Sequence, residues 1–481
     1  MRVAIIGSGF SGLGAAIKLR QAGITDLVIF ERANALGGVW RENSYPGCAC
    51  DVESHLFEFS FAPNPDWSRR YSPSAEIWAY LERCADQFQV RQYLRLNEAV
   101  THASWDDASS LWRITTTRGQ YTANILVAAT GALADPKLPD LPGLDSFQGQ
   151  VFHSSRWDHS VDLAGKRVAV LGTGASAIQF IPIIQPKVEQ LTVFQRTPPW
   201  VIPGHDGPIS ARTRAMFRRF PWIQRLLRHT IISYRELLGI AFRHPWLMRP
   251  LSAIARYNLH KAVRDPVIRQ QLTPTYTAGC KRILVSDDYF PALTRPNVEL
   301  VTEAAVAVTP GGVIGADGIE RAAEVIICGT GFQVTEFVFA RWIHGRDGRS
   351  LREVWGPSAT AHLGITVAGF PNLFLIPGPN TGLGHSSVIL MFEAQIEHLV
   401  NAVRHLSQSH TTAIEPRPEA QAAFVAEVDR RMAKTVWVTG GCHSWYLDST
   451  GRNSTLWPGT PPQYRRRVSS FRPEEYLVHH G

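Results

Sequence analysis

Cysteine is scarce in this chain. Six occur in 481 residues, at positions 48, 50, 84, 280, 328 and 442, too few for a disulfide framework at this length. That scarcity predicts reduced thiols and an intracellular, cytoplasmic setting. Charge is also sparse, at 19% of residues against 44% apolar, which excludes extended disorder and fibrous repeats. Long hydrophobic runs are missing too. The longest stretch without Asp, Glu, Lys or Arg, 354–392, contains six Gly and four Pro, so it is not a membrane helix. The opening MRVAIIGSGF runs from an apolar strand straight into glycines. A signal peptide needs a longer apolar core and a cleavage site, so none is expected. No repeat of solenoid length is present, and at roughly 100–200 residues per domain two to four domains are expected.

The net charge of +8 is unevenly placed. Residues 211–270 hold 13 Lys and Arg against only Glu236 and Asp265, a local net of +11, and the rest of the chain nets −3. The basic character therefore belongs to one segment, which counts against a general nucleic-acid-binding protein. Within it Phe220, Ile223, Leu227, Ile231, Tyr234, Leu238 and Ala241 recur at spacings of three and four. That is the pattern of an amphipathic helix with this stripe toward a core. Arg225, Arg228 and Arg235 fall off the stripe, and His244-Pro245 ends the helix. Three readings of the charge stay open: a solvated basic face, a dock for an anionic membrane surface, or a site for a protein partner.

What the chain does have is one nucleotide motif twice. Gly7-x-Gly9-x-x-Gly12 follows the apolar run Val3–Ile6 and precedes Leu13–Gln21, which reads as a helix. The first glycine permits a tight turn, the second lets the backbone approach a pyrophosphate, and the third allows close helix–strand packing. Asp26–Phe30 then ends in Glu31, where an acid is expected to hold a ribose 2′-hydroxyl. The second copy, Gly172-x-Gly174-x-x-Ala177, follows Arg167–Leu171, and Gln190–Phe194 ends in Gln195-Arg196-Thr197. Glu31 lies 24 residues after Gly7, and Arg196 lies 24 after Gly172. At that place an acid repels a 2′-phosphate, whereas a guanidinium holds one. The first site is therefore expected to take a dinucleotide without that phosphate and the second NADPH; FAD is assigned to the first because a tightly held flavin commonly occupies the first fold in such chains. Ile125–Gly131 and Val325–Phe332, apolar runs closing on Thr-Gly, read as strands returning to each nucleotide unit. Asn372–Asn380 reads as a buried strand and a turn. The fold class expected is α/β, with two Rossmann-type dinucleotide-binding domains and a helical insertion in the second.

Between the two units lies Phe147-x-Gly149-x-x-x-His153-x-x-x-Trp157-Asp158. This resembles the fingerprint of type I Baeyer–Villiger monooxygenases, flavoproteins related to those that end the same motif in Tyr-Lys. The resemblance spans nearly the whole chain and includes Gly37-Gly38-Val39-Trp40, Tyr45–Asp51, Lys281-Arg282 and Ser444-Trp445-Tyr446. The style of Gly279–Leu284 and Gly451–Gly459 looks closest to the branch containing 4-hydroxyacetophenone monooxygenase. The resemblance implies an FAD-binding domain at 1–145 and 346–481, the latter including a C-terminal loop region. It implies an NADPH-binding domain at 146–203 and 276–345, with the basic insert, 204–275, roofing the substrate pocket. The implied reaction is NADPH- and O2-dependent: a C4a-peroxyflavin inserts one oxygen beside the carbonyl of a small-molecule ketone, giving an ester or lactone.

The resemblance makes Arg282 the catalytic cation and Asp51 its partner. The nucleotide sites together are expected to draw on Gly7, Gly9, Phe10, Ser11, Gly12, Glu31, Gly38, Val39, Trp40, Cys50, Asp51, Phe57, Val100, Gly131, Thr173, Gly174, Ala175, Ser176, Ala177, Arg196, Thr197, Lys281, Arg282, Asn380 and Trp445. Trp445 reads either as part of a loop closing over NADPH or as a core aromatic. His153 is expected to organise the link between the two units. No metal is expected, since Cys48-x-Cys50 matches neither a C-x-x-C nor a zinc spacing. The nearest alternative is a flavin monooxygenase acting on sulfur or nitrogen, with thioethers as possible substrates. A disulfide or quinone reductase and a flavoprotein without turnover are the others.

Overall fold

The computed structural model describes residues 1–409 and 411–480. Two five-stranded parallel sheets organise it. The first is centred on β1 (Val3–Ile6), followed by α1 (Phe10–Gln21) and β2 (Leu27–Phe30). β1 pairs with β2 on one side and with Ile125–Ala128 on the other. Leu373–Leu375, from late in the chain, extends the far edge. These strands are apolar throughout because both faces are covered: one packs against α1 and the helix Ile389–Gln408, the other against Ala103, Trp105, Trp112 and Ile114 of a smaller sheet.

The second sheet is centred on β3 (Arg167–Leu171), followed by α2 (Ala177–Ile184) and β4 (Gln190–Phe194). β3 lies between β4 and Val325–Cys328, and Gln150–His153 and Val298–Val301 form the edges. In each sheet the central strand is where the strand order reverses, the place at which such sheets receive nucleotides. Ile343–His344 pairs with Val100–Asp106 in a separate four-stranded sheet.

The Phe147–Asp158 fingerprint is a packing device in this structure. A side chain on Gly149 would place its Cβ 2.1 Å from the Glu324 carbonyl oxygen, so only glycine lets this edge strand dock. His153 Nδ1 lies 2.8 Å from Ser155 Oγ, and Trp157 packs on Phe152 and Phe180.

The insert is helical: α3 (Ala211–Arg219), α4 (Pro221–Arg243) and α5 (Arg249–Ala262). α4 ends at His244, as its proline predicts. Its orientation differs from the sequence reading. The buried positions are Gln224, Arg228, Gly239 and Phe242, whereas Phe220 and Tyr234 are exposed. Arg228, expected on a solvated face, is buried and donates through Nη1 to the carbonyls of His55, Leu56 and Glu58. Arg235 donates to Glu53 Oε2 from Nε at 3.0 Å and Nη2 at 2.7 Å. The reason is the surface beneath. The 53–64 loop presents carbonyls and carboxylates that require donors once buried, so guanidinium groups turn inward where a hydrophobic pattern alone predicts leucines.

Candidate active site

Both phosphate-loop turns have the geometry their glycines predict. Gly7 has φ of +100°, and a Cβ there would lie 2.5 Å from the Ala129 carbonyl oxygen; a Cβ on Gly12 would lie 1.9 Å from the Gly7 oxygen. Gly9, by contrast, faces only Gly38, at 3.7 Å, which leaves the start of α1 open. No side chain caps α1 or α2, and neither has an acid in its first turn. Free amides and the positive end of the helix dipole are the donor set a pyrophosphate needs. At the second site Ala177 is accommodated because Gly329 opposes it; a Cβ on Gly329 would come 3.4 Å from that of Ala177.

Glu31 is buried at the end of β2. Its Oε2 accepts from the Ser8 amide and hydroxyl, at 3.1 and 2.6 Å, and its Oε1 from the Ala33 amide. It thus fixes the first phosphate loop from the position where a ribose would be held. Phe10, Trp40 and Phe57 form one edge-on aromatic group. Cys50 is buried in the same core, and Val100 packs at the small sheet.

At the second site Lys281 is half-buried with its ammonium 5.2 Å above the Tyr276 ring. Burial lowers its pKa, and the positive charge of Arg196 lowers it further. The structure therefore brings Arg196 and Lys281 together as two cations that repel each other. A dianionic phosphate between them relieves that repulsion, so the pair fits a 2′-phosphate.

Lys281 leads directly to the contact that joins the two halves. Arg282 donates from Nε to Asp51 Oδ2 and from Nη2 to Asp51 Oδ1, both at 2.6 Å, across 231 residues of sequence. Each side chain retains 25% of its exposure, so the pair is sheltered but reachable. Burial opposes charge on both groups, and their mutual attraction outweighs it: Asp51 is held below the usual carboxylate range and Arg282 above its ordinary value. Both therefore stay ionised across physiological pH.

The sequence reading did not assign the residues around this pair. Tyr446 packs beside Arg282, and burial raises its hydroxyl to about 12, with the guanidinium pulling the other way. Glu53, two residues from Asp51, is held by Arg235 of α4. His385 Nε2 lies 3.4 Å from Glu236 Oε1 of α4 without hydrogen-bond geometry. The Trp437 indole N–H and the Tyr446 hydroxyl are also buried without hydrogen-bond partners among the described residues. Gly239 permits this approach, since a Cβ there would lie 2.6 Å from His385 Nε2. Open polar atoms thus gather where α4, residues 384–386 and residues 437–446 meet, a conjunction with no local sequence signal.

Two of the expected residues are placed by the C-terminal segment. Trp445 is 44% exposed and packs tilted against Tyr446 with ring centroids 4.3 Å apart, so it is not a core aromatic. Asn380 is committed internally: Nδ2 donates to the carbonyls of Asn453 and Leu456, and Oδ1 accepts from Arg452.

The expectation of uniformly reduced thiols is corrected at one pair. Cys280 and Cys442 form a disulfide with Cα atoms 6.1 Å apart. It binds the residue before Lys281-Arg282 to the loop bearing Trp445. A low cysteine count could not reveal it, because the pairing depends on the C-terminal segment folding back over residues 276–285. Cys48, Cys50, Cys84 and Cys328 are free and buried.

Residues 1–244 match the model of the flavin-binding monooxygenase-like family. A Baeyer–Villiger monooxygenase of Streptomyces coelicolor is 52% identical over 480 residues, which cover 99% of this chain and 92% of that relative. The chain belongs to the Baeyer–Villiger monooxygenases. Among solved structures, cyclohexanone monooxygenase from Rhodococcus sp. Phi1 bound to NADP+ superposes with a TM-score of 0.89 at 28% identity, over 100% of this chain and 99% of that one. An OTEMO complex with FAD and NADP gives 0.90 at 28% identity over 99% of each. This monooxygenase is thus an FAD-containing, NADPH- and O2-dependent oxidoreductase that inserts one oxygen atom next to a ketone carbonyl. The product is an ester or lactone.

Proposed function

We propose that the Asp51–Arg282 pair is the catalytic centre of this Baeyer–Villiger monooxygenase. The observation that carries the reading is its bidentate contact, which joins the two nucleotide units at the residue following the Lys281 phosphate ligand. Bound FAD and NADPH supply hydride transfer and oxygen activation. The protein's own task is to hold the reacting oxygen, its developing negative charge and the ketone together without water.

Arg282 suits that task because a guanidinium stabilises an anion without surrendering its proton. Asp51 orients the guanidinium plane and offsets part of its charge. Arg196 and Lys281 hold the 2′-phosphate and so select NADPH. α4 and residues 437–446 roof the site, and Glu236, His385 and Trp437 bring to that roof buried polar groups without hydrogen-bond partners among the described residues. Thioethers are a second, slower substrate class, because soft sulfur is attacked best by a protonated, electrophilic oxygen donor that Arg282 does not favour.

Arg282→Ala tests the assignment. Removing one preorganised stabilising group costs about 10²–10³-fold in kcat, so ester formation is expected to fall by at least that much, while flavin bleaching by NADPH becomes slower but persists. Ester formation near the wild-type rate contradicts the role.

A further inference from the structure

We infer that the helical insert docks the enzyme onto an anionic membrane surface. α4 carries an apolar arc on its solvent side besides the apolar positions that pack inward. Its inner side carries Gln224, Arg228 and Arg235, bonded to the loop beneath. Its outer side carries Trp222, Leu226, Leu237 and Ile240, which are 61%, 58%, 66% and 37% exposed. At 100° per residue these four positions fall within a narrow arc. A tryptophan, two leucines and an isoleucine turned to solvent in one arc describe a face made to meet something apolar.

The face continues beyond α4. Trp246 and Tyr257 are 68% and 71% exposed. Of the 21 large apolar residues exposed among the described residues, 11 lie in 211–270, about an eighth of the chain. The same segment carries 13 Lys and Arg against two acids. Some of that charge is spent internally, in Arg218–Asp66 and Arg235–Glu53, and a positive excess remains.

Charge complementarity selects the occupant. A second copy meeting this face about a two-fold axis would set the same basic surface against itself. An anionic bilayer offers opposite charge, a hydrocarbon boundary for the leucines, and the interface that Trp and Tyr side chains prefer. No helix among the described residues is long and apolar enough to cross a membrane, so the contact is one of lying on the surface. The inner side of α4 reaches Glu53, two residues from Asp51. Docking therefore faces the roof of the proposed catalytic centre toward ketones dissolved in lipid; this consequence rests on the catalytic reading, whereas binding itself does not.

Co-sedimentation of the holoenzyme with vesicles, without turnover, separates the two. Vesicles of phosphatidylcholine with phosphatidylglycerol are compared with phosphatidylcholine alone, at low and high salt. Binding is expected only to the mixed vesicles and is expected to weaken as salt rises. Arg219→Glu with Arg225→Glu, and separately Trp222→Ser with Leu226→Ser and Leu237→Ser, should each weaken it by about tenfold or more. All these positions are exposed, so both variants should keep their flavin absorbance and ketone turnover. No binding to the mixed vesicles, equal binding to both kinds, or variants that bind as wild type would overturn the inference. So would a dimer in analytical ultracentrifugation that the same substitutions dissolve, because it would make a second copy the occupant.

Discussion

At the scale of single residues, charge is used where it is hard to neutralise. Asp51 and Arg282 hold each other ionised despite partial burial, so the centre keeps one orientation of a permanent cation. Arg196 and Lys281 are the opposite case: two like charges left near each other for a ligand to reconcile. Arg196→Ala should raise the KM for NADPH by about ten- to a hundredfold, the worth of charge-assisted hydrogen bonds. The KM for NADH should stay nearly unchanged. Steady-state kinetics with both cofactors decide it, and an unaltered preference would remove the 2′-phosphate assignment. The role proposed for Arg196 was suggested by the sequence because two copies of one motif differ at one aligned position. Glu236, His385 and Tyr446 were not, because each acquires its neighbours from a different element.

At the scale of elements, the loop bearing Lys281-Arg282 is tied to the segment bearing Trp445 by Cys280–Cys442. Cross-links over long loops typically contribute about 2–4 kcal/mol. Cys280→Ser with Cys442→Ser should therefore lower Tm, and should raise the KM for NADPH because the Trp445 loop loses its anchor. Reduction of the wild type with a dithiol should reproduce both changes. Thermal melts and kinetics that match wild type would mean that the loop is held by its packing alone.

The same scale shows where pattern reading stops. Strand–turn–helix units were legible because glycine conformation, helix starts and apolar strands are local properties. α4 was found with its correct end, but its buried side is rotated from the predicted stripe: Ile223, Leu227, Ile231 and Ala241 are half-buried, and Arg228 beside them is buried. A three-and-four spacing identifies a helix and an apolar side, and says nothing of whether the surface beneath is hydrocarbon or a loop of carbonyls. Here His55, Leu56 and Glu58 offer oxygens, and Arg228 answers them.

At the scale of the whole molecule, the chain divides its charge between two tasks. A slightly acidic pair of nucleotide units carries the few cations proposed to act in the reaction, Arg196, Lys281 and Arg282, and a separate basic insert carries all of the positive excess. We propose that the first group serves the reaction and the second a surface. The central claim concerns the reaction, and product identity tests it most directly. The purified holoenzyme is given NADPH, O2 and a panel of ketones and thioethers, with products identified by mass spectrometry and NADPH consumption followed alongside. The account predicts esters or lactones from ketones in amounts that track NADPH consumed, with slower sulfoxide formation. Ketones left intact while thioethers are oxidised would contradict it.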